Sequence, residues 1–480
     1  MKCERLAIGD AAVPPADPAA PPAPAAGAAP AAAVQAKPHT DMISRILNLA
    51  WPALTEQFLS MTVGLVNTSL VGHLGATPLA AVGLSDQLVQ IFSVFFGALA
   101  VGSTALVARH IGAGDRRGAD VITSQSMLMA LGLGTLTALL TFLLARPALQ
   151  LLGAAADVQE QGTLYLRIVA PSLLLMTVMF VGNATLRGAG NTRTPMMVMM
   201  AVNIVNVVVT YSLINGVAGL PKMGVAGSGI GAATARSVGG LAVLAILLRP
   251  RSTVKIVPKF FLHLNLQQVR RVLSIGIPAG MEQLLMRLAQ LTFAAAITSL
   301  GTSSYAAYQI VMMVMSVGYM PGFGFSVAST TMVGQELGAG RPSQAEAAVK
   351  TTVKLGILSA VIVGGVLFLW PRAVASLFTN DLEVMEQALL GVRTFALAQP
   401  LVVFCFTYGG ALRGAGETRP VLVVTVATIW LVRLVLGYLL TIVFGLGLVG
   451  AFIAVDLDWL VRAFLLRRLF QRGRWKTIKV

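Results

Sequence analysis

The chain has 480 residues, 56% of them hydrophobic and 11% charged, with a net charge of +16 and a mean hydropathy of +0.80. Soluble domains carry roughly 25% charged residues, so this composition argues against a soluble protein and for an integral membrane protein. The lone cysteines Cys3 and Cys405 exclude a disulfide framework, and the scattered histidines His39, His73, His110 and His263 offer no metal cluster.

In chain order, residues 1–41 come first, with AAVPPADPAAPPAPAAGAAPAAA at their heart. Proline at this density blocks helix and alanine offers little surface to fold on, so the expectation is a disordered cytoplasmic tail. No basic segment leads into a Leu-rich core, as a signal peptide requires. Translation from Met42 is the alternative.

From Ile43 onward, apolar stretches long enough to cross roughly 30 Å of hydrocarbon alternate with short loops. Twelve spans are expected: 44–72, 79–107, 120–145, 162–185, 195–216, 224–248, 274–299, 305–333, 351–370, 389–409, 420–444 and 448–468. Residues 42–248 form a first lobe, 249–273 a basic linker, 274–468 a second lobe and 469–480 a basic tail. Loops after even-numbered spans hold most of the Lys and Arg, among them Arg109, Arg116, Arg117, Arg187, Arg193, Arg413 and Arg419. Those after odd-numbered spans hold only Arg146, Arg167, Lys222, Arg372 and Arg393. The positive-inside rule then places both termini in the cytoplasm, with the chain in the inner membrane. The same bias explains the basic pI without a nucleic-acid partner.

The sequence repeats itself at a shift of 226 residues. WPALTEQ aligns with IPAGMEQ, so that 278−52, 282−56 and 283−57 all equal 226. ARHIGAGD aligns with GQELGAGR, HLGATPLAA with SLGTSSYAA, and LRGAG at 186–190 with LRGAG at 412–416. Each repeat has an even number of spans, so the halves share one orientation and are related by an axis along the membrane normal, with substrate expected between them. The fold class is therefore an all-α polytopic membrane protein of twelve transmembrane helices in two pseudo-symmetric six-helix lobes. In LRGAG the glycines suit a tight turn, Pro195 or Pro420 opens the next helix, and Arg187 and Arg413 are expected at the lipid head groups.

LRGAGNTRTP with LRGAGETRP, VARHIGAG with VGQELGAG, AAYQIV and MGVAGSG resemble the pattern of the multidrug and toxic compound extrusion family, over about residues 44–475. The resemblance implies a two-lobed antiporter that exports small organic cations or amphipathic compounds in exchange for H⁺ or Na⁺. It implies no other cofactor, no enzyme activity and no partner beyond substrate and membrane lipids, with the monomer as the working unit.

An acid near the bilayer centre costs about 2.5–3.5 kcal/mol even on lenient scales, so such acids are the first candidates for coupling. Glu56 follows Pro52 by one turn and shares a face with Ser60 and Asn67. Its duplicate is Glu282, which becomes a structural ion pair rather than an ion carrier if Arg433 reaches it. Gln57 and Gln283 adjoin the two glutamates, and Gln283, Arg287 and Gln290 share one face of the seventh span. Asp86 with Gln90, and Tyr308 with Gln309, are further candidate cavity liners. Asp458 and Arg462 are spaced as a structural i, i+4 pair. The Pro and two Gly of YMPGFGF predict a kink in the eighth span.

The chain departs from part of the family. Members that couple through the first lobe carry an Asp where Asn67 stands, and their fifth-span Asp aligns with Thr210, with Asn206 one turn earlier. Coupling is then expected at Glu56, or at Glu282 with the second-lobe charges. A lipid-linked precursor flippase of the same superfamily is the alternative; it needs a basic groove, and few Arg lie inside the first-lobe spans. A channel or receptor is disfavoured by a matched acid in each half.

Overall fold

The computed structural model describes residues 40–478 apart from Leu220, Leu262 and Asn380. The Ala/Pro tract therefore lies outside the described residues. Within them the chain forms twelve spanning helices and no strand. They are α1 (Thr40–Gly72), α2 (Ala76–Gly112), α3 (Arg116–Leu151), α4 (Ala156–Val169 and Ser172–Gly188), α5 (Arg193–Asn215) and α6 (Gly224–Leu248). The second half repeats them as α7 (Leu266–Thr298), α8 (Thr302–Gly338), α9 (Pro342–Leu369), α10 (Leu382–Gly414), α11 (Thr418–Val443) and α12 (Gly447–Gln471). Eight of these are long and apolar enough to cross a membrane by composition alone, and α4, bent by 56° at Ala170–Pro171, makes a ninth. The other three, α1, α7 and α12, carry Glu56, Glu282 and the Asp458–Arg462 pair. Polar cargo keeps them below a purely apolar standard. Large apolar side chains such as Leu65, Leu291 and Leu431 stand exposed on the outside of the bundle, as a lipid-facing surface requires.

The helices overrun the hydropathy boundaries. Thus α2 and α8 continue to Gly112 and Gly338, and α7 begins at Leu266, inside the expected linker. Proline 321 sits within α8, yet the helix is unbroken there; the interruptions fall instead at Ala170–Pro171 and in a π-helical stretch of α11, Thr428–Leu434. Loops end where local chemistry stops a helix. Asp115 caps α3 by accepting from the Gly118 N–H at 2.8 Å, and that bond holds its carboxyl below the usual range. Gly114, Gly190, Gly340 and Gly416 take positive φ in the four repeated turns.

The expected basic tail is packed rather than free. Trp475 is fully buried, stacks on Phe470 at 4.6 Å and donates to the Phe470 carbonyl at 2.8 Å, while Lys476 pairs with Glu346 at 2.6 Å. The linker does the equivalent in the first half: its Lys255 N–H donates at 2.9 Å to Asp120, which occupies the position of Glu346 shifted by 226. Each half thus ends in a strap tied to its own third helix.

The halves meet through small residues at the end of the bundle that carries the paired GAG loops, called here the basic end. A methyl group on Gly276 of α7 would stand 2.5 Å from the Ala98 carbonyl of α2, and one on Gly324 of α8 would stand 2.9 Å from the Ala50 carbonyl of α1. These are the same contact twice, since 50 and 98 shifted by 226 give 276 and 324. Gly112 packs on the backbone of Gln335, and Gly338 on the backbone of Arg109, again as symmetry mates. Such close approach packs helices without a hydrophobic drive between them. Replacing Gly276 by Val should cost about 1–3 kcal/mol by overpacking and lower the thermal midpoint of the detergent-solubilised protein. Gly64→Ala, where nothing lies within 4 Å of the added carbon, should leave that thermal midpoint unchanged.

Candidate functional site: a cavity on the pseudo-two-fold axis

Between the halves lies a cavity of about 430 Å³, lined by side chains from both. Its walls come in mates: Gln57 and Gln283, Thr104 and Thr330, Phe180 and Phe406, Arg187 and Arg413 are each 226 apart. Glu282, Met286, Phe323, Trp459 and Arg462 extend the lining on the second-half side. Aromatic walls with a few fixed charges are the usual make-up of a site for drug-sized molecules.

The arginines of the two LRGAG turns do not sit at the lipid head groups, as the topology reading expected. They turn inward. Arg187 Nη1 donates to both oxygens of Glu56, at 2.8 and 3.0 Å, and Asn183 adds a weaker bond at 3.4 Å. Arg413 Nη2 donates to Glu282 Oε1 at 2.7 Å, and the Thr425 hydroxyl donates to the same oxygen at 3.0 Å. Both pairs span 131 residues and are mates, so the duplication carries a complete glutamate–arginine pair in each half. The third partner differs: Gly409 stands where Asn183 would be, and Met199 where Thr425 would be. Arginine suits this task because it stays charged and offers a fork of donors to a carboxylate.

Arg433 does not reach Glu282. It pairs with Asp458 at 2.6 Å, and Asp458, fully buried, also accepts two bonds from Arg462 at 2.7 and 2.8 Å. The expected Asp458–Arg462 pair therefore forms, with Arg433 added. Arg462 Nε donates to Thr428 in the π-helical turn, and both guanidinium groups lie over the Trp459 ring. In the first half only Arg236 keeps its counterpart, as the mate of Arg462. It lies 3.9 Å from Asp86, which accepts from the Tyr165 hydroxyl at 3.1 Å.

Of the other residues expected to line a cavity, Gln57 and Gln283 do so here, while the rest lie outside this cavity. Gln90 meets Arg287 across the halves at 3.4 Å. Gln309 bonds to Tyr305 at 2.8 Å, and Tyr308 packs edge-on against Phe293 in the second-half core. Asn67, Asn206 and Thr210 are buried, and Asn67 Oδ1, Asn206 Oδ1 and Thr210 Oγ1 have no partner among the described residues. The residues that sequence reasoning missed are Arg187 and Arg413. Their shared offset of 226 with the glutamates was a signal, but it was assigned to the turn.

Two fused, like-oriented bundles with charged pairs around an axial cavity define a membrane carrier. A family model, MatE, matches the chain twice, at residues 52–212 and 278–439. The chain is 31% identical over 435 residues to a probable multidrug resistance protein NorM of Thermotoga maritima, covering 90% of this chain and 92% of that one. It is 26% identical to the multidrug resistance protein PmpM of Pseudomonas aeruginosa, over 82% of this chain and 83% of that one. A solved structure from Pyrococcus furiosus, described as a MOP superfamily transporter with a binding pocket of reverse polarity, superposes with a TM-score of 0.84 at 23% identity. It covers 90% of this chain and 96% of its own, a likeness of fold. The chain belongs to the MatE family of membrane transporters and is not an enzyme.

Asp458→Asn should leave Arg433 and Arg462 buried with too little negative charge, and breaking a buried pair in this way costs about 3–5 kcal/mol. The expected outcome is loss of monodisperse protein on solubilisation, and Arg433→Met in the same chain should restore it. Recovery of Asp458→Asn alone at the yield of the parent would contradict the assignment.

Proposed function

We propose that the protein is a secondary-active antiporter that exports amphipathic organic compounds, organic cations among them, in exchange for H⁺ or Na⁺. The observation that carries this reading is the axial cavity with one glutamate–arginine pair per half. A carrier working by alternating access needs a site reachable from either side and a group whose occupancy changes during the cycle. Glu56 and Glu282 are the groups assigned to the coupling ion. Each carboxylate is held by an arginine in this state, so an incoming cation takes the carboxylate by displacing a guanidinium group. Phe180, Phe323, Phe406 and Trp459 supply aromatic walls for a flat amphipathic substrate. The names of the relatives favour drugs and toxins as cargo. With the basic end in the cytoplasm of a bacterial inner membrane, the opposite end faces outward and the direction is export.

A lipid-linked precursor flippase is the second reading. It gains from Arg187, Arg413 and Arg462 on the cavity wall, and loses because Glu56, Glu282 and Asp458 hold these arginines.

The test is ethidium movement in proteoliposomes under an imposed pH gradient, with and without Na⁺. Transport driven by either gradient is expected, and Glu56→Gln and Glu282→Gln should each lower coupled transport at least about tenfold, on the order of 1.4 kcal/mol. Full transport in both variants would remove the glutamates from the coupling role. Absence of transport in the parent, together with scrambling of a lipid-linked substrate, would favour the flippase.

A further inference from the structure

We infer that Arg187 is the positioning residue that links ion loading at Glu56 to the seal at the basic end, and that the second half has no such link. This rests on the antiporter reading for the meaning of ion loading, though its geometry stands apart from it. The last turn of α4 is gripped from two sides. On one side the Arg187 guanidinium is bound to Glu56 of α1. On the other, its backbone is stitched to α8 of the opposite half: the Thr331 hydroxyl donates to the Arg187 carbonyl at 3.1 Å, and Gln335 Nε2 donates to the Gly188 carbonyl at 3.2 Å. Gly188 is also pressed on α2, where a methyl group would stand 2.6 Å from the Thr104 carbonyl. One residue thus reads the state of a carboxylate with its side chain and holds the facing half with its main chain.

The second half lacks the same connection. Shifting by 226, Thr331 corresponds to Ala105, which has no hydroxyl to give to the Arg413 carbonyl. Gln335 corresponds to Arg109, which reaches the Ala415 carbonyl at 3.5 Å and the Ile478 carbonyl of the C-terminal strap. That contact is made to the helix end and the strap, two residues beyond Arg413. Loading at Glu282 frees Arg413 without touching a bond from its own carbonyl to the other half. The charged groups on the cavity wall are Arg187 on α4, and Glu282, Arg413 and Arg462 on the second-half side.

When a cation neutralises Glu56, Arg187 loses its anchor on α1. The last turn of α4 then keeps its contacts with α8 and α2, and the Thr331 and Gln335 bonds remain as its polar restraints from the opposite half, beside the Thr104 hydroxyl on the Ala184 carbonyl and the Thr192 hydroxyl on the Asn48 carbonyl within its own half. The seal is expected to open more often as a result. The coupling chain runs Glu56, Arg187, Thr331, and it lies in the first half.

The experiment is a distance measurement between spin labels at Ala113→Cys and Ser343→Cys, one on each side of the basic end, in the full-length chain in nanodiscs with Cys3 and Cys405 replaced by Ser and Ala. Glu56→Gln, which mimics a loaded carboxylate, should raise the population with a wide basic end at least about fivefold, the lower edge of ordinary coupling between sites. Thr331→Val should do the same, and Thr331→Ser should restore the parent distribution. Because both act on one chain of contacts, Glu56→Gln with Thr331→Val should fall well short of the product of the single effects. Glu282→Gln should leave the distribution unchanged. A distribution unmoved by Glu56→Gln, equal movement by Glu282→Gln, or independent effects in the double variant would each overturn the inference. Ethidium transport by the parent is measured separately: its absence would defeat the antiporter reading, whereas the distances judge the link itself.

Discussion

Charge inside hydrocarbon is the constraint on which the rest of this structure depends. A bare carboxylate or guanidinium at that depth costs several kcal/mol, so the polar groups that a carrier needs must arrive already paired. Glu56, Glu282 and Asp458 each sit against one or two guanidinium groups, at 2.6–3.0 Å. The partners are all arginine, which keeps its charge in surroundings where a lysine would lose it. Pairing solves the burial problem, and on the antiporter reading it creates the functional one, because a paired carboxylate would take up a cation only by releasing its arginine. Whatever the released arginine holds elsewhere then feels the change.

The duplication supplies the frame, and the departures from it supply the direction. Backbone contacts repeat faithfully: Gly112 on Gln335 and Gly338 on Arg109 place α2 and α8 across the axis in the same way. Side chains around them diverge. In one turn His110 faces Asp115 at 2.9 Å, while in its mate Glu336 faces Arg341 at 3.1 Å, so the acid changes position between the two turns. Arg45 of the first half adds to Glu336 at 3.2 Å, giving the basic end an ion pair between halves. The second-half triad of Arg433, Asp458 and Arg462 has Val207 and Ala232 at its first two mate positions. A protein with perfect symmetry would give both walls of the cavity the same chemistry. This one devotes the second half to a rigid, buried charge cluster and aromatic surface, and leaves the first half with the simpler pair.

Much of the fold was legible because hydrocarbon imposes a one-dimensional code. Span number and the repeat could be read from apolar runs and matched letters, and the two glutamates stood out as acids within them. The ends of helices were less legible. Hydropathy falls at the first charges, but α2 and α8 continue to Gly112 and Gly338 because backbone hydrogen bonding does not stop where hydrocarbon does. The packing of the tail from 469 was not legible either: its basic letters name no partner, whereas Trp475 is buried against Phe470 and the Lys476 ammonium lies over the Trp475 ring. Partners were the least legible. Arg187 and Arg413 lie in loops by letter count, and a rule about loop arginines assigns them to lipid. Only folding brings them to carboxylates 131 residues away.

The kind of contact at the basic end bears on whether it can open at all. A seal made of interdigitated large side chains would resist separation, since each buried leucine-sized group costs about 1.5–3 kcal/mol to expose. Here the backbone meets glycine or alanine at close approaches between halves, buried Ile46 and Leu49 of α1 pack with Phe325 and Met332 of α8, and among the described residues Thr331, Gln335, Arg109 and Arg45 give polar bonds across the basic end. Hydrogen bonds to main-chain carbonyls such as those of Arg187 and Gly188 are exchanged for water when the seal parts, at a net cost of about 0.5–1.5 kcal/mol each. On the antiporter reading, the polar part of this closure is comparable in scale to the one or two ion-pair exchanges assigned to the glutamates.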